Sequence, residues 1–550
     1  FRDVSKPIRN FSVQILAESK TSNKNIVVNI PNVRKPVPLF IAFRALGILS
    51  DKAIIEMCLL DMDKYEHMID LFIPSVHNTG AMMTQSAAIK YIASLTKGKR
   101  KENALEILSD YFLPHIGEVN FTEKAYYLGY MVFRLLSVST GLELPTDRDN
   151  FKYKRLELVG SLMYDLFREY YNLQWKNIQV ELEKRLYYNN NLYANNLPSL
   201  IQTFYEEVFK NRIVETGFKK AFKGNWGSQA NTKRVGIVQD INRLSFNSFF
   251  SHLRKTNLPM DAGSKLVEPR KLHCSQWGFI DPIDTPDGGN IGLHKSLAIA
   301  THVTRGGSGL REPVVQWLRE KISLKYLDEC SPQILAEMSK VLINGYWAGS
   351  IMDPFDCVNK IKLFRRNALL PIYMSVTFEI KTNTIYIYTD SGRLSRPIFY
   401  KDDVTQQMSF ELPTVSEKIK EGEFDWMDLI CGFNKKREDA VFHPDNQRIY
   451  ELYELYEGLT NETNPTKLER FLNKKAIIDY IDCSESENAL IAINPDEYEE
   501  HKNRNFTHLE IHESLIFGNM CNLIAFPENN PPTRNSFSCG QSKQAVSLYH

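Results

Sequence analysis

Apolar and polar positions alternate over Phe11-Ser12-Val13-Gln14-Ile15-Leu16, the period of a half-buried strand, and the pattern then lengthens to helical spacing. Ser50 stands as an N-cap ahead of Ile54, Ile55, Met57, Cys58 and Leu59; Thr122 stands likewise ahead of Ala125, Leu128, Val132, Leu135 and Leu136, with Gly141 as the stop. Residues 1 to 150 are therefore expected to mix short strands with amphipathic helices. From Leu156 onward, Leu158, Leu162, Leu166, Tyr170 and Leu173 recur in steps of four and three, which predicts one long helix packed along one side and reaching Leu186. Between Gly224 and His294, Gly, Pro, Asn and Ser interrupt short apolar runs, so this stretch reads as loop-rich, the kind of segment in which functional residues concentrate. Val376, Phe378 and Ile380, then Ile385 and Ile387, alternate about the polar turn Lys381-Thr382-Asn383 and predict a β-hairpin. Residues 412–470 are rich in Glu and Lys without alternation and read as a solvated helical insertion, with Asn461 to Pro465 as its linker. No internal repeat or sustained heptad is present.

Length changes this picture. A chain of 550 residues, 43% hydrophobic and 24% charged, is ordinary in composition but too long for one core, so about three to five domains are expected. Its 67 basic and 66 acidic residues give a formal charge of +1, which excludes a whole-chain basic field and makes any nucleic-acid contact local. The eight cysteines are scattered without a C-x-x-C pair, a pattern of reduced thiols in an intracellular protein and not of a disulfide framework or zinc site. No apolar run approaches the roughly 20 residues that span a bilayer, so a soluble chain with no membrane partner is expected. Phe1 leads without Met into the alternating stretch, and His550 follows the apolar run Ala545-Val546-Ser547-Leu548-Tyr549; both ends read as cut from a longer chain.

The common catalytic signatures are missing: no phosphate loop followed by Lys-Ser/Thr, no H-E-x-x-H, no G-x-S-x-G and no tight Asp cluster for two metal ions. Asp147-Arg148-Asp149 comes nearest and reads as an ion-paired turn. Local charge is more informative. Between His252 and His273, Arg254, Lys255, Lys265, Arg270 and Lys271 stand against Asp261 and Glu268, a basic loop suited to phosphate-backbone contacts or, more plainly, to solvent. Arg534 and Asn535 follow Pro531-Pro532, and Lys543-Gln544 comes soon after; a guanidinium fork and an ammonium at this spacing suit a triphosphate or a backbone, the alternative being an ordinary surface arginine.

The wording of these segments carries a resemblance. Ser251-His252-Leu253-Arg254-Lys255-Thr256-Asn257-Leu258-Pro259, Ser264-Lys265-Leu266-Val267-Glu268-Pro269-Arg270-Lys271-Leu272-His273, Trp277-Gly278-Phe279, Thr285-Pro286-Asp287-Gly288 and Asn290-Ile291-Gly292-Leu293 resemble the fork region of second-largest subunits of multisubunit DNA-directed RNA polymerases. In matching order, Ile41-Ala42-Phe43-Arg44-Ala45-Leu46-Gly47-Ile48 and Thr146-Asp147-Arg148-Asp149-Asn150-Phe151 resemble the lobe and its exit. Asn344-Gly345-Tyr346-Trp347 and Thr389-Asp390-Ser391-Gly392-Arg393-Leu394 resemble the external modules, and Thr507-His508-Leu509-Glu510-Ile511-His512 through Lys543-Gln544-Ala545 the start of the hybrid-binding domain.

The resemblance implies an α+β, multidomain chain: lobe 1–150, C-terminal part of the protrusion 151–222, fork 223–303, external modules 304–395 and 396–504, and the start of the hybrid-binding domain 505–550. It implies nucleotide contact by Arg534 and Asn535, contact with the RNA–DNA hybrid by Lys543 and Gln544, fork-loop DNA contacts by Arg254, Lys255, Lys265 and Arg270, and a position near the active centre for Asp287. Implied partners are the largest and smaller polymerase subunits, template DNA, the RNA transcript and nucleoside triphosphates. Mg2+ would serve the assembled enzyme, held mainly by the largest subunit, with no metal site and no complete catalytic set in this chain, so that the fragment alone is expected to be inactive. The implied location is intracellular: the nucleus, or the cytoplasm or virion for a large DNA virus. The alternative is a non-catalytic nucleic-acid-binding or assembly scaffold derived from the same subunit. Three positions depart from the family's wording: Asp287 replaces a Glu, Pro532-Thr533 precede Arg534 in place of Ser-Pro, and Ser542 replaces the Gly before Lys-Gln.

Overall fold

The computed structural model of the chain describes residues 10–18, 24–80, 82–189, 196–229, 232–306, 311–402, 406–411, 475–501 and 503–546, with scattered positions between 417 and 449. Most of the Glu/Lys-rich stretch 412–470, including the linker Asn461 to Pro465, lies outside the described residues. The chain forms two compact units, Phe1–Arg155 with Ser264–Pro282 and Leu297–Gly518, and Leu156–Gly263 with Ile283–Ser296 and Asn519–His550. Their architecture is mixed α and β, and the larger unit contains separate hydrophobic cores.

The larger unit opens with an antiparallel sheet of β1 (Ser12–Ile15), β2 (Ile26–Asn29) and β3 (Val37–Pro38). Helices α1 (Leu39–Ala45), α2 (Asp51–Leu59), α3 (Gln85–Ser94) and α4 (Phe121–Ser139) bury Phe40, Phe43, Ile54, Ile92, Leu128, Val132 and Leu136 in one core with it. Ser50 is the N-cap residue of α2, as its position predicts. The start of α4 differs from the expectation. Its N-cap is Asn120, whose carbonyl accepts the first intrahelical bond from the Lys124 amide (3.0 Å), so Thr122 lies inside the first turn. A Cβ on Gly129 would stand 2.5 Å from the Met57 carbonyl oxygen, and the missing side chain is what lets α4 cross α2 closely.

The smaller unit begins with α5 (Val159–Tyr188), which starts three residues after Leu156 and ends two residues past the expected Leu186. Its Leu162, Leu166, Tyr170 and Leu173 pack with Ala221 of α6 (Ile213–Phe222) and with Trp226, one side of the helix as expected. Beyond them come α7 (Phe246–Leu253) and a two-stranded ladder of β4 (Lys255–Asn257) with β5 (His294–Ser296), joined by loops and short 3-10 turns.

The larger unit resumes with β6 (His302–Val303), β7 (Ser339–Ile343), β8 (Tyr346–Ile351), α8 (Pro354–Arg366), β9 (Ser375–Glu379) and β10 (Thr384–Tyr388). Four of these make a sheet in the order β8-β7-β10-β9, with β10 parallel to β7 and antiparallel to β9. The β9–β10 hairpin is the one predicted from alternation, turning at Asn383 in the left-handed region (φ +47°), although Ile380 belongs to its 3-10 turn and not to a strand. Val341, Ile343, Val376, Ile385 and Ile387 share a core with Cys357, Ile361 and Phe364 of α8. A second sheet follows from β11 (Leu394–Tyr400), β12 (Ile478–Asp482), β13 (Ile491–Ala492) and β14 (His508–Leu509), ordered β12-β11-β14-β13 with β6 also on β11. Helix α9 (Cys483–Glu487) closes the edge of β9: the Val376 amide donates to Glu485 Oε1 (2.9 Å), and just past the helix Asn488 Nδ2 donates to the Phe378 carbonyl (3.3 Å). Buried Arg365 of α8 donates to Asp479 (2.8 Å), Glu485 (2.5 Å) and the Met374 carbonyl (2.6 Å), and Arg366 donates to Asp479 (3.1 Å). The chain returns to the smaller unit for α10 (Pro532–Gln544). Among the described residues no helix is long and apolar enough to cross a membrane.

Candidate nucleic-acid interface

Ser245 organises the smaller unit's basic site. Its hydroxyl accepts from the Ser248 amide (3.1 Å) while the Ser248 hydroxyl accepts from the Ser245 amide (3.0 Å), a reciprocal cap that starts α7. The same Ser245 hydroxyl donates to the Lys543 carbonyl (2.9 Å), so one side chain satisfies the start of α7 and the last turn of α10. Ser536 on α10 donates to the Ile283 carbonyl (2.8 Å), fixing the helix to the stretch before β5.

Three segments far apart in sequence meet there. Lys255 on β4 lies opposite Ser296 on β5, so both side chains occupy one face of the ladder. The Ser296 hydroxyl donates to Asp284 Oδ2 (2.9 Å), and Lys543 Nζ donates to Asp284 Oδ1 (2.6 Å). Asp284 is buried and Lys543 largely so. Desolvation, and then the nearby Lys543 ammonium, push Lys255 below its ordinary value against the opposing pull of Asp284. Desolvation and Lys255 likewise lower His294, and desolvation lowers Arg254. Lys543 thus spends its charge on Asp284, while exposed Lys255 carries charge that its surroundings disfavour, a setting in which a phosphate oxygen is a stabilising neighbour.

The sequence-predicted residues separate into classes. Arg534, Gln544 and Asp287 are exposed. Arg534 stands in the first turn of α10, which holds no carboxylate and has Pro531 as its N-cap residue, so the positive end of the helix and the guanidinium favour the same anion. Asn535 is buried at 2% exposure and its amide donates to the Pro527 carbonyl (2.8 Å), which makes it an anchor for the turn beneath Arg534. Lys265 and Arg270 belong to the larger unit, Arg270 closing the 3-10 turn Glu268–Arg270, so the basic loop read as one feature is divided after Gly263. Sequence reasoning missed Asp284 and Ser245. Asp284 stands one residue before the quoted Thr285-Pro286-Asp287-Gly288, outside it, and nothing local marks it as the counter-ion of a lysine 259 positions away. Among the described residues no group of three or more His, Cys, Asp or Glu side chains is positioned to hold a metal ion.

Comparison with known proteins bears on these segments. Family models described as RNA polymerase Rpb2, domain 2, domain 3 and domain 4 match residues 4–157, 239–303 and 341–402. The chain is 32% identical to DNA-directed RNA polymerase II subunit 2 of Arabidopsis thaliana over 99% of its own length and 43% of that protein. It is 31% identical to the RNA polymerase II subunit RPB2 of Encephalitozoon cuniculi over 95% of this chain and 42% of the relative. To the archaeal subunit Rpo2 of Sulfolobus acidocaldarius it is 27% identical over 99% of this chain and 44% of the relative. The chain spans less than half the length of these relatives.

Proposed function

Because the chain belongs to the RNA polymerase Rpb2 family, with domains 2, 3 and 4 in order, we propose that it is an internal segment of the second-largest subunit of a DNA-directed RNA polymerase. The observation that carries this reading is the run of three domain matches in their numerical order across one chain, with relatives aligned over nearly all of it. The β9–β10 hairpin also argues against an unrelated, wholly helical interaction protein. Domain 2 supports the lobe over 1–150, domain 3 the fork within 223–303, and domain 4 the first external module, although its match runs past 395. The protrusion segment 151–222, the second external module 396–504 and the hybrid-binding start 505–550 complete the assignment.

In this reading the reaction is templated nucleotidyl transfer: the RNA 3′-hydroxyl attacks the α-phosphate of the incoming nucleoside triphosphate and pyrophosphate leaves. Mg2+, held mainly by the largest subunit, would supply charge stabilisation for this transfer when bound. This chain contributes walls and cations, acting with the largest and smaller subunits on DNA and RNA. Its relatives among RNA polymerase II subunits favour a nuclear location.

Arg534 addresses the triphosphate from the first turn of α10, Asn535 holds that turn, and Lys255 and Lys543 face nucleic acid beside Asp284. Arg534→Ala in the complete enzyme should remove a charge-assisted interaction of roughly 1.5–3 kcal/mol, lowering kcat/KM for nucleotides some ten- to a hundredfold with assembly intact. Arg534→Lys should recover part, because an ammonium lacks the bidentate fork. Normal nucleotide kinetics in an Arg534→Ala enzyme that has lost thermal stability or subunit association would remove the substrate role. A non-catalytic scaffold would give the same templated activity with and without this chain's cations.

Lys255 and Lys265, now assigned to different units, are best tested singly. Each that contacts a duplex phosphate should, as Ala, flatten the plot of log affinity against log salt by about 0.9. An unchanged slope for either one removes that lysine from the interface.

A further inference from the structure

We infer that the cavity bounded by α8, β9 and α9 is a binding site for a small organic anion, a carboxylate or phosphate head on a planar body. The cavity measures about 610 Å3, inside the range of roughly 300–1,000 Å3 typical of small-molecule sites. It lies wholly within the larger unit, and none of its lining residues belongs to the basic site described above.

The argument rests on an unmatched charge. Lys362, on α8, lines the cavity, is half-buried and makes no ion pair or hydrogen bond with any described residue. The carboxylates around it are engaged elsewhere. Glu485 receives Arg365 and the Val376 amide, and Asp479 receives Arg365 and Arg366. On the remaining wall Lys152 pairs with Glu487 (2.6 Å), and exposed Lys381 offsets Glu379, which accepts from Thr382 (2.7 Å). Three cations, Lys362, Arg365 and Arg366, therefore share two carboxylates, and Lys362 is the one that faces open space. Desolvation and the two arginines disfavour its charge while Glu485 and Asp479 support it. A net cation held away from water is stabilised by an anion that enters beside it.

The rest of the wall describes the body of the ligand. Tyr153, Tyr388, Phe355 and Phe378 contribute flat apolar faces, with Phe355 and Phe378 edge to face at 5.3 Å. Asn359 and Asn488 add amides that can orient polar substituents.

Titration calorimetry and melting of the 550-residue chain with three probes, inorganic phosphate, benzoate and adenosine monophosphate, test the assignment. At least one organic probe should bind saturably and raise the melting temperature with concentration. Lys362→Met should weaken that binding about tenfold or more, and Lys362→Arg should retain most of it. Without probe, the Lys362→Met chain should melt no lower than the parent, since it loses an unmatched cation and keeps its packing. Benzoate without the monophosphate would assign a carboxylate head, and the reverse a phosphate head. No saturable binding by either organic probe, equal affinity in Lys362→Met, or a Lys362→Met chain that fails to fold would each overturn the proposal.

Discussion

Arg365→Ala should destabilise the larger unit by about 3–5 kcal/mol, the usual cost of removing one partner from a buried ion pair. Arg365 is 1% exposed, and its loss strands two carboxylates, Asp479 at 3% and Glu485 at 6% exposure, without their cation. The guanidinium holds Asp479 well below the usual carboxylate range despite full burial, so that group stays charged in the variant or must take up a proton. Arg366 remains on Asp479 but makes no hydrogen bond to Glu485, whose remaining donor among the described residues is the Val376 amide. The edge of β9 should therefore loosen with the ion pair. Calorimetric melting should show the larger unit's transition shifted down by many degrees, with amide exchange at Val376 accelerated. Arg365→Lys should be intermediate. A shift of only a degree or two would mean that the network contributes little beyond packing.

Acidification should weaken the same unit. His115 and His508 are buried, and burial pushes both imidazoles down from 6.5 to about 3. The unfolded chain takes up those protons first, so the stability they contribute is complete above pH 6.5 and is lost as pH falls from there toward 3. The slope approaches about 1.4 kcal/mol per pH unit for each histidine, or about 4 kcal/mol for both by pH 5. His302, pushed to about 4 by burial and then Arg305, adds to the slope over the same interval. The ion-paired Asp479 does not enter this window: it is depressed from 3.8, so its contribution begins to fall only nearer pH 4. Glu123, raised above 4.5 chiefly by burial, acts in the opposite sense and offsets part of the histidine slope as pH falls. Urea midpoints between neutral pH and about pH 5 measure the effect, and replacing His115 by Gln should flatten the curve. A flat profile would mean that these histidines stay as hydrated in the fold as outside it.

Local pattern made much of this fold readable. The hairpin at 375–388 follows from period-two alternation about a polar turn, and the long helix from steps of four and three, because each signal sits within one element. The start of α4 was misread because Thr122 and Asn120 are both competent caps, and only the fold of the preceding turn decides between them. The second sheet was not legible at all. It joins β6 near residue 302 to β11, and β11 to strands near 480 and 508, pairings that no short window contains. The candidate site shows the same division. Family wording pointed to Lys255, Arg534 and Lys543, yet it could not indicate that Asn535 faces inward, that Lys265 and Arg270 fall in the other unit, or that Asp284 neutralises Lys543.

The closure of β9 by groups more than a hundred residues downstream also has a consequence on the ribosome. Val376 and Phe378 wait for Glu485 and Asn488, separations of 109 and 110 residues. At bacterial to eukaryotic synthesis rates of about 5–20 residues per second, the edge stays open for roughly 5–20 seconds after β9 is made. During that interval the nascent chain carries a hairpin whose outer β9 edge is unpaired, a template for pairing with a neighbouring nascent chain on the same messenger. Slow translation through 380–490 should therefore raise aggregation of this chain, and a chaperone that covers extended segments should be most needed while those residues are being added.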